Sequence, residues 1–247
     1  MTIPDFTLIE WTVVALLFIW AGFVRTGLGF GGAALGLPLL LFIVPEPVFW
    51  LPIIAIHLLF FSGITLSKRM GNVDWTYLKK SLVWITPPAL VGVLGLVTLP
   101  AFWLNVFIYS LSLFYGIIWF INYALSSNTP WVDRFWLVVG GYAAGTSLTG
   151  APLMVAVFMR NIARSQLRDT LFVLWFILVS LKMTTFIALS VDIYWLMALV
   201  LIPVAAIGHV VGLRVHEAIV QNDVLFKRWV GTGLVVVSSL GLWSQLG

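Results

Sequence analysis

Apolar residues fall into nine runs along the chain: 6–24, 27–44, 48–67, 81–99, 101–125, 135–159, 171–190, 193–215 and 225–246. Most are about 20 residues long, the length that crosses the hydrocarbon core of a bilayer as a helix. None shows the two-residue alternation of a barrel strand. Backbone that lies in lipid must satisfy its own N–H and C=O groups, so these runs are predicted to be α-helices. Tryptophans stand near many of the run ends (Trp50, Trp75, Trp103, Trp131, Trp136, Trp195, Trp229), where an interfacial belt requires them.

The polar gaps between the runs carry a charge pattern. The gaps with Lys68, Arg69, Lys79 and Lys80, with Arg134, with Arg160, Arg164 and Arg168, and with Arg214, Lys227 and Arg228 hold eleven of the thirteen basic residues. The alternate gaps, around Glu46, Pro100 and Asp192, hold none. The positive-inside rule makes the first set cytoplasmic and puts both termini outside. Composition agrees: 62% of the 247 residues are hydrophobic and 9% charged, with a mean hydropathy of +1.10. A soluble domain carries about 25% charged residues. Cysteine is absent, which excludes disulfides and thiolate chemistry. Asp5 and Glu10 stand where a cleavable presequence would be basic, so none is expected.

The charge pattern exposes a repeat. Residues 27–38 (GLGFGGAALGLP) have a counterpart in residues 145–153 (GTSLTGAPL), and Asp74-Trp75 is answered by Asp192 and Trp195. Pro87 with Gly92 and Gly95 is answered by Pro203 with Gly208 and Gly212. Aligned this way, run 48–67 points inward and run 171–190 outward. The expected fold is an all-α polytopic membrane protein of two inverted-topology repeats, 1–125 and 126–247. Each repeat has four to five segments, with discontinuous or re-entrant Gly/Pro-broken helices near the centre.

GLGFGG spells the GxGxxG of a dinucleotide turn, but that turn needs a preceding strand and an acidic residue about 20 positions on, inside a βαβ unit. A long helix precedes it here, and Glu46 follows a further apolar run, so no cofactor is expected. Close helix packing through small residues is one reading of these glycines. The other is a helix that unwinds at membrane depth, since paired interrupted segments in two halves point to a transporter's binding site. Run 135–159 starts and ends beside basic residues on one side, Arg134 and Arg160, yet is too short to cross twice. A hairpin broken near residues 147–150 resolves this. The N-termini after the breaks carry partial positive charge and free donors. Brought together by inverted symmetry, they would bind an anion through Gly29, Gly31, Gly32 and Gly150, with Ser147 and Thr149 adding hydroxyls.

Lys182 lies too deep in its run to be a loop residue, and no deep carboxylate is available to neutralise it. It faces the bundle as an anion's counter-charge, or it snorkels as a structural lysine. His57 lies at similar depth in the equivalent helix, with a substrate or proton role weighed against a hydrogen-bonded core histidine; His209 is a second proton-coupling candidate. Arg25 and Arg160 either anchor the inner face or admit anions. Without an intramembrane carboxylate to bind Na⁺ or carry protons, the interior-negative potential favours anion exit. An intramembrane hydrolase would need paired carboxylates beside the loop, or a Ser147–His209 dyad that nothing in the spacing supports.

The Gly36-Leu37-Pro38-Leu39 motif, the stretch from Arg69 through Gly71 and Asp74 to Trp75, Gly150-Ala151-Pro152-Leu153 and Arg168-Asp169-Thr170 follow one another in an order that resembles the sulfite exporter TauE/SafE family of bacterial permeases. The likeness covers nearly the whole chain, although Gly150-Ala151-Pro152 is leaner than the second Gly/Pro motif typical of the family. The resemblance implies a bacterial inner-membrane exporter of sulfite or a short organosulfonate. The expected partners are a small anion and the lipid bilayer, with no nucleic acid, and the sequence neither requires nor excludes a homo-oligomer.

Overall fold

A computed structural model describes residues 5–28, 32–67, 70–123, 129–221 and 223–246. Ten α-helices follow in order: α1 Leu8–Leu28, α2 Gly32–Leu40, α3 Pro47–Leu66, α4 Trp75–Thr98, α5 Ala101–Phe120, α6 Pro130–Ser147, α7 Ala151–Asn161, α8 Arg164–Ala188, α9 Trp195–Gln221 and α10 Asp223–Leu246. The described residues contain no strand. Seven helices (α1, α3, α4, α5, α8, α9, α10) are long and apolar enough to cross a membrane. The run 135–159 is α6 and α7 with a break between them, as length and charge require. The run 27–44 contains α2, whose nine residues rise only about 14 Å, too little to cross.

The helices form two compact units, each drawing on both halves of the chain. The first comprises α1, α2, the start of α3, α5, α9 and α10. Here α1 and α9 run parallel with glycines at the contact. A Cβ on Gly22 would strike the carbonyl of Ala205, and one on Gly208 or Gly212 would strike Ile19 or Phe23. Between helices in lipid, where no hydrophobic force drives association, such small residues let backbones approach closely. α5 and α10 run antiparallel, with Gly116 against Gly231 and Gly241 under the Tyr109 ring. Asn105 Nδ2 closes their far end, donating to Pro45 O (2.9 Å) and Gln245 Oε1 (3.3 Å). α2 folds back on α1, where Gly32 abuts Ala21 and Arg25. The base of this hairpin is aromatic: Phe6 lies 6.3 Å from both Phe49 and Trp50.

The second unit comprises the rest of α3 with α4, α6, α7 and α8. α4 and α6 run parallel, with Gly141 on Ile85, Gly145 on Ala89 and Gly92 on Thr146. α6 ends where Leu148 turns left-handed (φ 58°). The chain then reverses, and Gly150 sits on the carbonyl of Gly140, a place with no room for a side chain. At the base of the hairpin Arg160 pairs with Asp133, whose other oxygen accepts from Asn161 Nδ2 at 3.0 Å. α8 packs against α4, α6 and α7. The turn before α4 is fastened to α8: Asn72 Nδ2 donates to Ser165 O and Asp169 Oδ2, both at 2.7 Å, and Asp74 N donates to Thr170 Oγ1 at 3.0 Å. Asp74 also caps α4, accepting from Tyr77 N at 2.9 Å.

Candidate functional site

In the second unit, α8 presents a buried stripe at helical spacing: Trp175, Leu178, Val179, Lys182 and Phe186. Lys182 is 1% exposed, its Nζ lies 5.8 Å from the Phe186 ring centroid, and it has no hydrogen-bond acceptor among the described residues. Two turns earlier on the same face, the buried indole Nε1–H of Trp175 also lacks an acceptor, again among the described residues. On α3, which meets α8 where Gly63 faces Phe176, the buried hydroxyl of Ser62 is the third such group. The carboxylate buried in this unit, Asp169, lies thirteen residues earlier on α8, about 20 Å along the axis, and is engaged by Asn72. An ammonium, an indole N–H and a hydroxyl, all buried and all able to donate, are each left without an acceptor among the described residues.

The break between α6 and α7 belongs to the same unit. Ser147 Oγ donates to Ala143 O (3.0 Å) and lies 2.6 Å from Thr149 Oγ1, with both residues fully buried. Each hydroxyl has one proton. While Ser147 donates to Ala143, Thr149 must donate to Ser147, and neither is free. If Ser147 turns its proton to Thr149, the Thr149 proton is released toward a ligand at the cost of the Ala143 bond. Gly150 precedes the first turn of α7, where Ala151 and Leu153 contribute N–H groups that no residue within the helix accepts, and Pro152 has none to contribute. His57, 2% exposed, lies beside the Phe61 ring on α3. Arg160 sits at the other end of α7 from Gly150, half-buried and held by Asp133.

The remaining candidates belong to the first unit. Arg25, in the last turn of α1, is 6% exposed. Next to it, Thr26 Oγ1 lies 2.6 Å from Nδ1 of His209, joining α1 to α9. Gly32 begins α2, while Gly29 and Gly31 lie outside the described residues. Among the described residues Ser147 bonds to Ala143 and Thr149, with no histidine recorded as its base. Sequence reasoning did not single out Trp175, Ser62, Thr26 or Asp133. Trp175 had a usable signal, since it precedes Lys182 by seven residues, on one helical face.

With seven apolar helices of spanning length and no strand among the described residues, the chain is a multi-pass membrane protein. Residues 14–240, nearly its whole length, match the model of the family described as Sulfite exporter TauE/SafE, and the chain belongs to that family. Its members are membrane permeases and not enzymes, so the chain is an exporter-type transporter of the sulfite and sulfur-anion class. Comparison with curated proteins and with solved structures finds no match.

Proposed function

We propose that the chain exports a small sulfur-containing anion, sulfite or a short organosulfonate, from the cytoplasm, and that the anion binds against Lys182. The observation that carries this reading is the buried ammonium with no acceptor among the described residues. An unpaired charge at membrane depth costs about 2.5–3.5 kcal/mol on insertion scales, and an anionic substrate offsets that cost. Trp175 and Ser62 then donate to the anion's oxygens, with Thr149 and the first turn of α7, preceded by Gly150, as further donors. His57 shares this unit, and a histidine's titration range suits it to carry a proton in this reading. In the first unit, Gly32 plays the part that Gly150 plays here, with Arg25 beside it, while Gly29 and Gly31 lie outside the described residues.

The two halves, 1–125 and 126–247, are read as inverted copies. Helix pairing supports this. Exchanging each first-half helix for its counterpart turns the parallel pair α1/α9 into the parallel pair α6/α4, and returns the antiparallel pair α5/α10 to itself. Orientation follows the basic loops. Two of them are neighbours, since Asn72 reaches Ser165, which supports placing both on the cytoplasmic side of a bacterial inner membrane. The interior-negative potential then drives anion exit without a coupling ion.

A thermal-unfolding panel of sulfite, short sulfonates, sulfate, thiosulfate and carboxylates tests the reading, because a ligand that binds only the folded state raises its stability. Sulfite or a sulfonate should stabilise the wild-type chain and leave Lys182→Met unmoved. No stabilisation by any sulfur anion would count against it.

A further inference from the structure

At the basic end of the second unit, a cavity of about 720 Å³ opens between α4, α6 and α7. Its charged lining is Lys80, Asp133, Arg134 and Arg160. Asp133 is already engaged on both oxygens, by Arg160 and Asn161. Lys80 and Arg134 therefore leave two positive charges without a carboxylate partner among the described residues. Arg134 lies over two indoles, its guanidinium carbon 5.0 Å from the Trp84 ring centroid and 5.3 Å from that of Trp131. Aromatic rings engage the face of a guanidinium, so the in-plane N–H fork stays available for a bidentate oxyanion contact. The outer wall is apolar and uncovered: Val83 is 68% exposed and Trp84 38%, and Trp131, outside the lining but against Arg134, is 71% exposed. Tryptophans of this kind mark the level of the lipid headgroups.

A cationic floor with adjacent aromatic rings and an apolar, lipid-facing wall fits an amphiphile whose anionic end lies inward and whose chains lie outward. The volume far exceeds that of a three-oxygen anion, which argues against the transported substrate as its occupant. We propose that this cavity binds the phosphate headgroup of an anionic phospholipid, with Arg134 and Lys80 as the phosphate ligands and Trp84 and Val83 beside the glycerol and acyl chains. This site is independent of the Lys182 reading.

The test uses the full chain in detergent, probed by native mass spectrometry and thermal unfolding. Phosphatidylglycerol, phosphatidylcholine and inorganic phosphate are the separate probes. Phosphatidylglycerol should be retained and should raise the unfolding midpoint, and the other two should do neither. Lys80→Gln, at an exposed position, should weaken lipid retention roughly five-fold. Arg134→Gln should weaken it by about ten-fold or more. Lys79→Gln, the neighbouring basic residue outside the cavity, should change nothing. Equal stabilisation by phosphatidylcholine would overturn the proposal, as would a phosphate effect matching that of the lipid. Equal losses in Lys79→Gln and Lys80→Gln would overturn it too, by reducing the effect to general surface charge. Should Arg134→Gln fail to fold, the comparison of Lys79 with Lys80 decides alone.

Discussion

Replacing Lys182 by methionine should make the protein more stable and inactive at once. The side chain is 1% exposed, and its ammonium lies 5.8 Å from the Phe186 ring centroid. Methionine has nearly the same length and no charge, so it fills the same space among Val179, Met183 and Phe186 at a packing cost of less than about 1.5 kcal/mol. It also removes the penalty of an unpaired ammonium at membrane depth, about 2.5–3.5 kcal/mol. The net gain is about 2 kcal/mol, or roughly 4–8 °C in the unfolding midpoint for a chain of this size. Thermal unfolding in detergent, with and without sulfite, reads both halves of the prediction. Without ligand the variant should unfold at the higher temperature. With sulfite at about a hundred times its dissociation constant, the wild type should gain about 2.7 kcal/mol and the variant nothing, closing the gap. A variant less stable than wild type in the absence of ligand would make Lys182 a structural residue. A variant stabilised by sulfite as much as wild type would put the anion elsewhere.

Gly150→Ala should lower stability by about 1–3 kcal/mol and abolish transport, because the new Cβ meets the Gly140 carbonyl and pries the α6–α7 hairpin apart. Gly71→Ala, where nothing lies within 4 Å of the added atom, is the control and should behave as wild type. Thr26→Val deletes the hydroxyl bonded to His209 and should cost about 1 kcal/mol, read as a lower unfolding midpoint. Single cysteines at Asn72 and Ser165, neighbours in the structure and both exposed, should react with an impermeant thiol reagent only from the cytoplasmic side. Labelling of either from outside would invert the proposed orientation.

Much of the framework was legible because membrane helices obey two coarse constraints, length and charge. Arg134 and Arg160 on one side, with too few residues between them for two crossings, required the break at residues 147–150. The structure closes that hairpin with the Arg160–Asp133 pair. Lys182 stood out because nothing acidic lay at its depth. Partner choice was not legible. A helix that is apolar on every side has no stripe to say which face meets protein and which meets lipid. Thus Gly208 and Gly212 looked like repeat markers, and their place against α1 emerged only in three dimensions. The same holds for Thr26 with His209, 183 residues apart, and for the indoles that Arg134 lies over. Ser147 and Thr149 were read as donors to an anion, but sequence could not show that the Ser147 proton goes to Ala143 and the Thr149 proton to Ser147.

The central claim, that this chain passes small sulfur anions outward through a site at Lys182, is tested most directly by flux in proteoliposomes. Purified chain should release loaded sulfite or a short sulfonate at a rate that rises with an interior-negative potential. The rate should fall to that of empty liposomes in Lys182→Met. Wild-type chain that releases none of the sulfur anions under any potential, or a Lys182→Met variant that releases them at the wild-type rate, would contradict it.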